Sequence, residues 1–431
     1  MKTKSVLKLV AALLLLLTLN PQFSSCFAQG SLTPPGAPAP TMKTLDQLEP
    51  RTPISSGPYT IAVPGSYCLT ANITVSTNDA ITIAANNVTL DLGGFTISST
   101  AASATGYGIK LSNGSRDITI SNGHIRGGVT NDGTGNYSGS GFAFGIGGES
   151  FDGPLAAVNV LVSRVSVCGC LYVGIMFNQR NSTVVEFCTA TTAGMYGISA
   201  STVKSCAAID CGRCGIGGDQ VSDCFGECNL DDTEAKGVAG NTVLNCQGLA
   251  EKKGSGVEAM LAQNCYGFSK GGVGVGAVTA ENCYGYSGGS GAYGISASIA
   301  HNCHGLSYTN IGLYASFAAN NCYGQTGGSG NGLVAPQAQN CYGFNYTGPG
   351  NGLVATNAFN CYGASGSGIG ILAATAQNCY GASGSGTGLS ATIANTCIGS
   401  RSGGTAIQAN IGVACYAAAG TNNIANKYNM P

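Results

Sequence analysis

Gly352-Leu353-Val354-Ala355, running on through Asn360-Cys361-Tyr362-Gly363, is one turn of a pattern that this chain repeats. A cysteine recurs at Cys168, Cys188, Cys206, Cys224, Cys246, Cys265, Cys283, Cys303, Cys322, Cys341, Cys361, Cys379, Cys397 and Cys415, with successive gaps of 18 to 22 residues. A fixed period of this length is the mark of a solenoid, in which each repeat is one coil that buries its apolar side only by stacking on its neighbours.

Comparing coils assigns the inward positions. Three residues before the cysteine stands Val or Ala (Val185, Val203, Val221, Ala262, Ala280), and two after it stands Ala or Gly (Ala190, Ala208, Gly226, Gly267). The residue two before it is polar: Glu186, Lys204, Gln263, Glu281. A step of three followed by a step of two is what two strands joined by a bend produce, since alternation holds within each strand and one extra residue turns the corner. The cysteine therefore points inward at the bend. Asn just before it suits the corner because it tolerates left-handed backbone angles. Gly/Ser runs such as Ser365-Gly366-Ser367-Gly368 make the remaining corners.

The earlier coils are longer. Asn87 to Phe95 aligns with Asp117 to Ile125, setting Val88, Leu90 and Phe95 over Ile118, Ile120 and Ile125. Leucine-rich, calcium-binding nonapeptide and left-handed hexapeptide solenoids fit less well, because their signature residues or strict periods are absent. The fold expected is all-β, a single-stranded right-handed parallel β-helix. Its parts are a signal peptide over 1–28, a Pro-rich linker and N-terminal cap over 29–60, long coils over 61–160, cysteine-bearing coils over 161–415 and a C-terminal cap or tail over 416–431.

Composition agrees. In 431 residues there are 68 Gly, no Trp and only 9% charged residues, with 44% hydrophobic, which suits a thin stacked core better than a disordered chain. The formal net charge of −1 leaves no basic footprint, so nucleic acid is not an expected partner. Lys2, Lys4 and Lys8 precede the apolar run Leu9 to Leu19, which is short for a membrane span and reads as an export signal. Cleavage after Ala28 competes with lipidation at Cys26, although Phe23-Ser24-Ser25-Cys26 lacks the residues of a good lipoprotein box. Either route makes the protein secreted or displayed at the cell surface. Of the 20 cysteines, 19 follow Ala28, an odd number that forbids complete pairing within one chain.

Ile61 to Gly128, with Pro64-Gly65-Ser66-Tyr67, Ile81-Thr82-Ile83 and Asn87-Val88-Thr89-Leu90-Asp91-Leu92, resembles the N-terminal coils of parallel β-helix proteins of the pectate-lyase-like superfamily, and the later coils look like its repeat region. The resemblance implies polysaccharide lyases and hydrolases, but also secreted repeat proteins without assigned activity, so fold alone does not choose a function. The acid pairs or Ca²⁺-holding clusters with an Arg or Lys base that such enzymes use are not legible here.

Candidate sites are few. The loop Asp231, Asp232 and Glu234 could hold Ca²⁺ through hard oxygens, or be a solvated turn. Asp219 and Asp223 lie nearby. His124 and Arg126 flank inward Ile125 and should both face outward. Cys211-Gly212-Arg213-Cys214 has the spacing of half a zinc site but lacks a second half. Cys211 and Cys228 should fall on adjacent coils at nearly one height, close enough for a disulfide. Tyr266, Tyr284, Tyr323, Tyr342, Tyr362 and Tyr380, with His304, each follow a ladder cysteine and should form an outward aromatic stripe. Such a stripe either packs on itself or offers ring faces to sugars. The reading favoured is therefore a non-catalytic glycan-binding or structural solenoid, with extracellular polysaccharide as partner. A polysaccharide lyase or hydrolase is the alternative.

Overall fold

A computed structural model describes residues 51–149 and 156–430. The expected signal peptide, the lipidation site at Cys26 and the Pro-rich linker lie outside the described residues. The described chain has no helix; it is a parallel β-solenoid of about 20 turns. None of its elements is a helix long and apolar enough to cross a membrane.

A representative coil has a long strand Leu353–Phe359, a corner at Asn360, a short strand Tyr362–Ser365 and a Gly/Ser turn that leads to the next long strand, Ile371–Gln377. Each strand pairs in parallel with its counterpart one coil on, without slippage here: Leu353 with Ile371, Ala358 with Ala376, Tyr362 with Tyr380. Alternation sends Leu353, Ala358, Cys361 and Gly363 inward, and all are buried. The corner assignment holds: Asn245, Asn264, Asn282, Asn302, Asn321, Asn340, Asn360 and Asn378 all have φ between 50° and 54°. Their amides also join into a ladder, as where Asn340 Nδ2 donates to Asn321 Oδ1 at 3.1 Å.

Thirteen of the fourteen cysteines form the inward column, from Cys188 to Cys415, each no more than 4% exposed. Cys168 does not belong to it. In that coil Val165 holds the ladder position, its N–H pointing to Cys188 Sγ at 3.5 Å, and Cys168 is only half-buried three residues further on. The 20-residue gap from Cys168 to Cys188 matched the period by coincidence.

Cys170 instead starts a second inward column, which runs through Ala193, Cys211, Cys228 and Ala250 and then turns polar at Ser269, Ser287, Ser307, Thr326, Asn345, Ser365 and Ser383. These side chains are buried, yet most reach turn backbone: Ser269 Oγ donates to Gly254 O at 2.6 Å and accepts from Gly272 N at 2.7 Å. They satisfy the polar groups that a Gly-rich corner would otherwise bury unpaired.

The early coils carry three strands each, as in Gly65–Leu69, Ile73–Val75 and Ile81–Ile83. Val88 and Leu90 pair with Ile118 and Ile120 as expected, but Ile97, not Phe95, lies over Ile125. Gly93 and Gly94, with φ of 58° and 79°, form a tight turn that inserts two residues before the strand resumes. Strands also extend into the segments expected to be cap and tail: Thr52–Ile54 pairs with Tyr67–Leu69, and Tyr416–Tyr428 pairs with Ile398–Val413. The antiparallel hairpin Gly128–Asn131 with Tyr137–Ser140 stands apart from the parallel stack.

Candidate functional site

The aromatic stripe forms, and its geometry is specific. Tyr266 and Tyr284 stack at 5.4 Å and 6°; Tyr323 and Tyr342 at 4.9 Å and 7°; Tyr342 and Tyr362 at 4.5 Å and 0°; Tyr362 and Tyr380 at 5.2 Å and 5°. Near-parallel rings at the strand spacing cover one another's faces, so between neighbours they present edges and hydroxyls outward. At the two ends of the stripe the next positions are held by Gln247, beside Tyr266, and Ile398, beside Tyr380. His304 interrupts the stack, meeting Tyr284 and Tyr323 edge-on at 69° and 74°. Its buried Nε2 has no hydrogen-bond partner, and burial pushes its pKa down. Burial, with Tyr342 and Tyr346 beside it, pushes the Tyr323 phenol up to about 12, so it stays a neutral donor.

Beside the stripe a groove follows the corner along the solenoid axis. One stretch of about 500 Å³ is bounded by Asn340, Asn360 and Asn378 on one side and Tyr342, Tyr362 and Tyr380 on the other, with no charged side chain among its lining residues. Another of about 770 Å³ occupies the same corner from Phe187 to Tyr266, where Thr189, Ala207, Phe225 and Gln247 stand in the stripe positions and Asp223 is the one charge. An amide inside the ladder, such as Asn340, spends one N–H and one oxygen lone pair on its neighbours, which leaves a donor and an acceptor on that rung.

A second cleft, of about 470 Å³, was not legible in the sequence. Asp210, Glu227, Glu251 and Lys270 line it, together with Asn131 from the hairpin. Asp210 holds the hairpin down: its carboxylate accepts from Asn131 Nδ2 at 2.6 Å, Tyr137 Oη at 3.1 Å, Thr192 Oγ1 at 2.9 Å and Asn229 Nδ2 at 2.9 Å. Burial, followed by the charges of Glu251 and Asp210, raises the Glu227 pKa. Lys270 pairs with Glu251. One signal was available: Asp210-Cys211 and Glu227-Cys228 put an acid at the same offset from a cysteine in consecutive coils.

The remaining candidates are placed as follows. Asp231 pairs with Lys253 at 3.4 Å, and Asp232 Oδ1 accepts from Glu234 N at 3.0 Å, so the loop is a capped turn. Asn241 donates to Asp219 and Asn245 to Asp223, which makes both aspartates rungs of side-chain ladders. His124 and Arg126 are exposed on either side of buried Ile125. Cys211 and Cys228 are register partners on neighbouring coils, just past a register shift between Ala208 and Cys211, and both are free thiols. Burial pushes the Cys214 thiol up to about 12. Among the described residues no group of three or more His, Cys, Asp or Glu side chains is arranged to hold a metal ion. No known family model and no characterised protein matches the chain.

Proposed function

We propose that the chain is a non-catalytic surface or extracellular solenoid that holds neutral polysaccharide along its Asn–Tyr flank. The observation that carries this reading is the uncharged axial groove, where Asn amides and phenol hydroxyls repeat once per coil beside an apolar wall of ring edges. Seven rungs, from Asn264 and Tyr266 to Asn378 and Tyr380, make six steps, an axial run of about 29 Å at roughly 4.8 Å per step. A regular polymer laid along that run meets an Asn amide at every step and a phenol hydroxyl at every step but that of His304. Because the rings cover one another, the contacts are hydrogen bonds to hydroxyls and amides with edge packing, not stacking on ring faces.

The test compares two triple variants at Tyr323, Tyr342 and Tyr362 on immobilised neutral polysaccharides. Replacement by Ala should abolish retention, and replacement by Phe should weaken it strongly, since only the hydroxyls leave. Retention should change little between low and moderate salt, because no charge lines the stretch from Asn340 to Tyr380. Wild-type retention in both variants, with β-rich circular dichroism intact, would remove the reading.

One observation favours a second reading, cleavage of polysaccharide in the acidic cleft. Glu227, with its raised pKa, has the character of a proton donor, and the Asp210 and Glu251 side chains line the same cleft. Catalytic release of reducing or unsaturated sugar that disappears in Glu227→Gln would establish it over the first.

A further inference from the structure

The chemistry of the axial groove narrows which neutral sugar it suits, an inference that rests on the glycan reading above. In the stretch from Asn340 to Ile398 the lining is mainly of three kinds: amides of the Asn ladder, phenol rings of the Tyr stripe, and the sulfur and carbon of residues such as Cys361 and Ile398. No carboxylate, ammonium or guanidinium lines it. The amides and the apolar surface make different demands on a ligand. A sugar hydroxyl pressed against Cys361 or Ile398 gives up its water without gaining a partner, which is unfavourable. An unsubstituted hexose carries hydroxyls around its rim, so it can serve the amides but not the surface between them.

The amides call for an acceptor and a donor side by side. Asn340 Nδ2 donates one N–H to Asn321 Oδ1 at 3.1 Å, and Asn340 Oδ1 accepts from Asn360 Nδ2 at 3.3 Å, so one N–H and one lone pair remain. Asn264 donates to Asn245, Asn282 to Asn264 and Asn302 to Asn282 in the same sense, so the rungs present their amides in one orientation. One sugar substituent answers both demands. The acetamido group offers a C=O to the free N–H, an N–H to the free lone pair, and a methyl group to the apolar surface. Charge excludes its relatives: a de-acetylated amine is a cation and a uronate an anion, and this stretch holds a counter-ion for neither.

We propose that the groove binds a polymer of N-acetylated amino sugars, its acetamido groups paired with the ladder amides at Asn340 and Asn360 and their methyls turned to the Tyr ring edges and the thiol floor. Each such rung is a seat of its own, so a chain whose successive sugars face opposite ways uses every second one.

The experiment titrates the full chain calorimetrically with three probes: a β-linked N-acetylglucosamine hexamer, the same hexamer stripped of its acetyl groups, and the glucose hexamer of identical linkage. The acetylated hexamer should bind about tenfold tighter than the glucose hexamer. The amine hexamer, at a slightly acidic pH where it is charged, should bind weakest. Two double variants locate the preference. Asn340→Gly with Asn360→Gly keeps the left-handed corners and removes the amides. Asn340→Thr with Asn360→Thr installs the residue that Thr396 supplies at the same corner, with φ of 49°. Both should shrink the ratio of the two affinities to about twofold, a readout that a general weakening of the groove does not move. Circular dichroism verifies the fold, and the wild-type ratio decides even where a variant fails to fold. Equal affinity of the wild type for the acetylated hexamer and either of the other two would overturn the proposal and leave the glycan reading standing. Binding of no hexamer and of no immobilised polysaccharide would overturn both. A tenfold preference that persists in both folded double variants would also overturn the proposal.

Discussion

Replacing Asn340 at its corner tests the physical account of the fold most directly. Asn340 has φ of 54°, donates to Asn321 Oδ1 at 3.1 Å and accepts from Asn360 Nδ2 at 3.3 Å. Ala at a left-handed position costs about 1 kcal/mol in backbone strain, and two exposed side-chain hydrogen bonds contribute about 0.5 kcal/mol each. Asn340→Ala should therefore destabilise the rung by about 2 kcal/mol. Asn340→Gly removes the same hydrogen bonds but tolerates the angle, so it should lose about 1 kcal/mol plus a smaller entropic cost in the unfolded chain. Solenoid stability is a sum of local terms, so the assay should be local too. Hydrogen exchange of the amides from Asn321 to Cys361 should quicken about 30-fold in the Ala variant, at 1.36 kcal/mol per tenfold, and clearly less in the Gly variant. Amides near Ile83 and Ile120 should be unaffected. Equal effects of Ala and Gly would refute the strain argument; the native Ala414, with φ of 50° at the last corner, shows that the strain is bearable where one rung is at stake.

Three further outcomes follow from the packing. His304→Tyr should complete the stack between Tyr284 and Tyr323 and stabilise the protein by about 1 kcal/mol. Because the folded His304 pKa is lowered, its protonation opposes folding as pH drops below the ordinary histidine value, so the gain measured by thermal melts should be larger at pH 5 than at pH 8. Asn345→Ala leaves Gly328 O, Gly330 O and Gly348 N without their side-chain partner and should cost about 3 kcal/mol by denaturant unfolding, whereas Asn345→Ser, the residue Ser365 supplies one coil on, should cost about half as much. Asp210→Ala removes the acceptor shared by Asn131, Tyr137, Thr192 and Asn229; limited proteolysis should then cut the hairpin near Gly133 well before the coils, and unchanged cutting would show that other contacts hold it.

The coil architecture was legible because each inward and corner position is restated a dozen times, so a rule inferred from Asn360-Cys361 applies at Asn264-Cys265 without further information. The rule failed where repetition is thin. Cys168 stands at the edge of the periodic region, where a matching gap outweighed the alternation that makes Val165 and Val167 inward. Phe95 was misplaced because a two-glycine turn changes the count within one coil. The polar inner column went unnoticed for a different reason: buried Ser and Asn look like turn residues until their partners, carbonyls some 15 residues earlier, are seen. The acidic cleft is the least local feature, joining a hairpin residue to acids about 80 to 120 positions away, and no spacing rule within a coil reports such a meeting.

Translation from coil to coil also makes length a free variable. Removing one whole repeat, such as Cys341 to Asn360, would bring Asn340 directly before Cys361 and leave every column with its spacing intact, one member shorter. Addition works the same way. A gene carrying such a protein can lengthen or shorten by recombination between its own repeats without passing through an unfolded product, and the gaps of 18 to 22 residues show that a few residues more or fewer are absorbed in the turns while the strand columns keep their register. The molecule is in this sense a ruler cut in whole divisions, and its reach can evolve in steps of one rung.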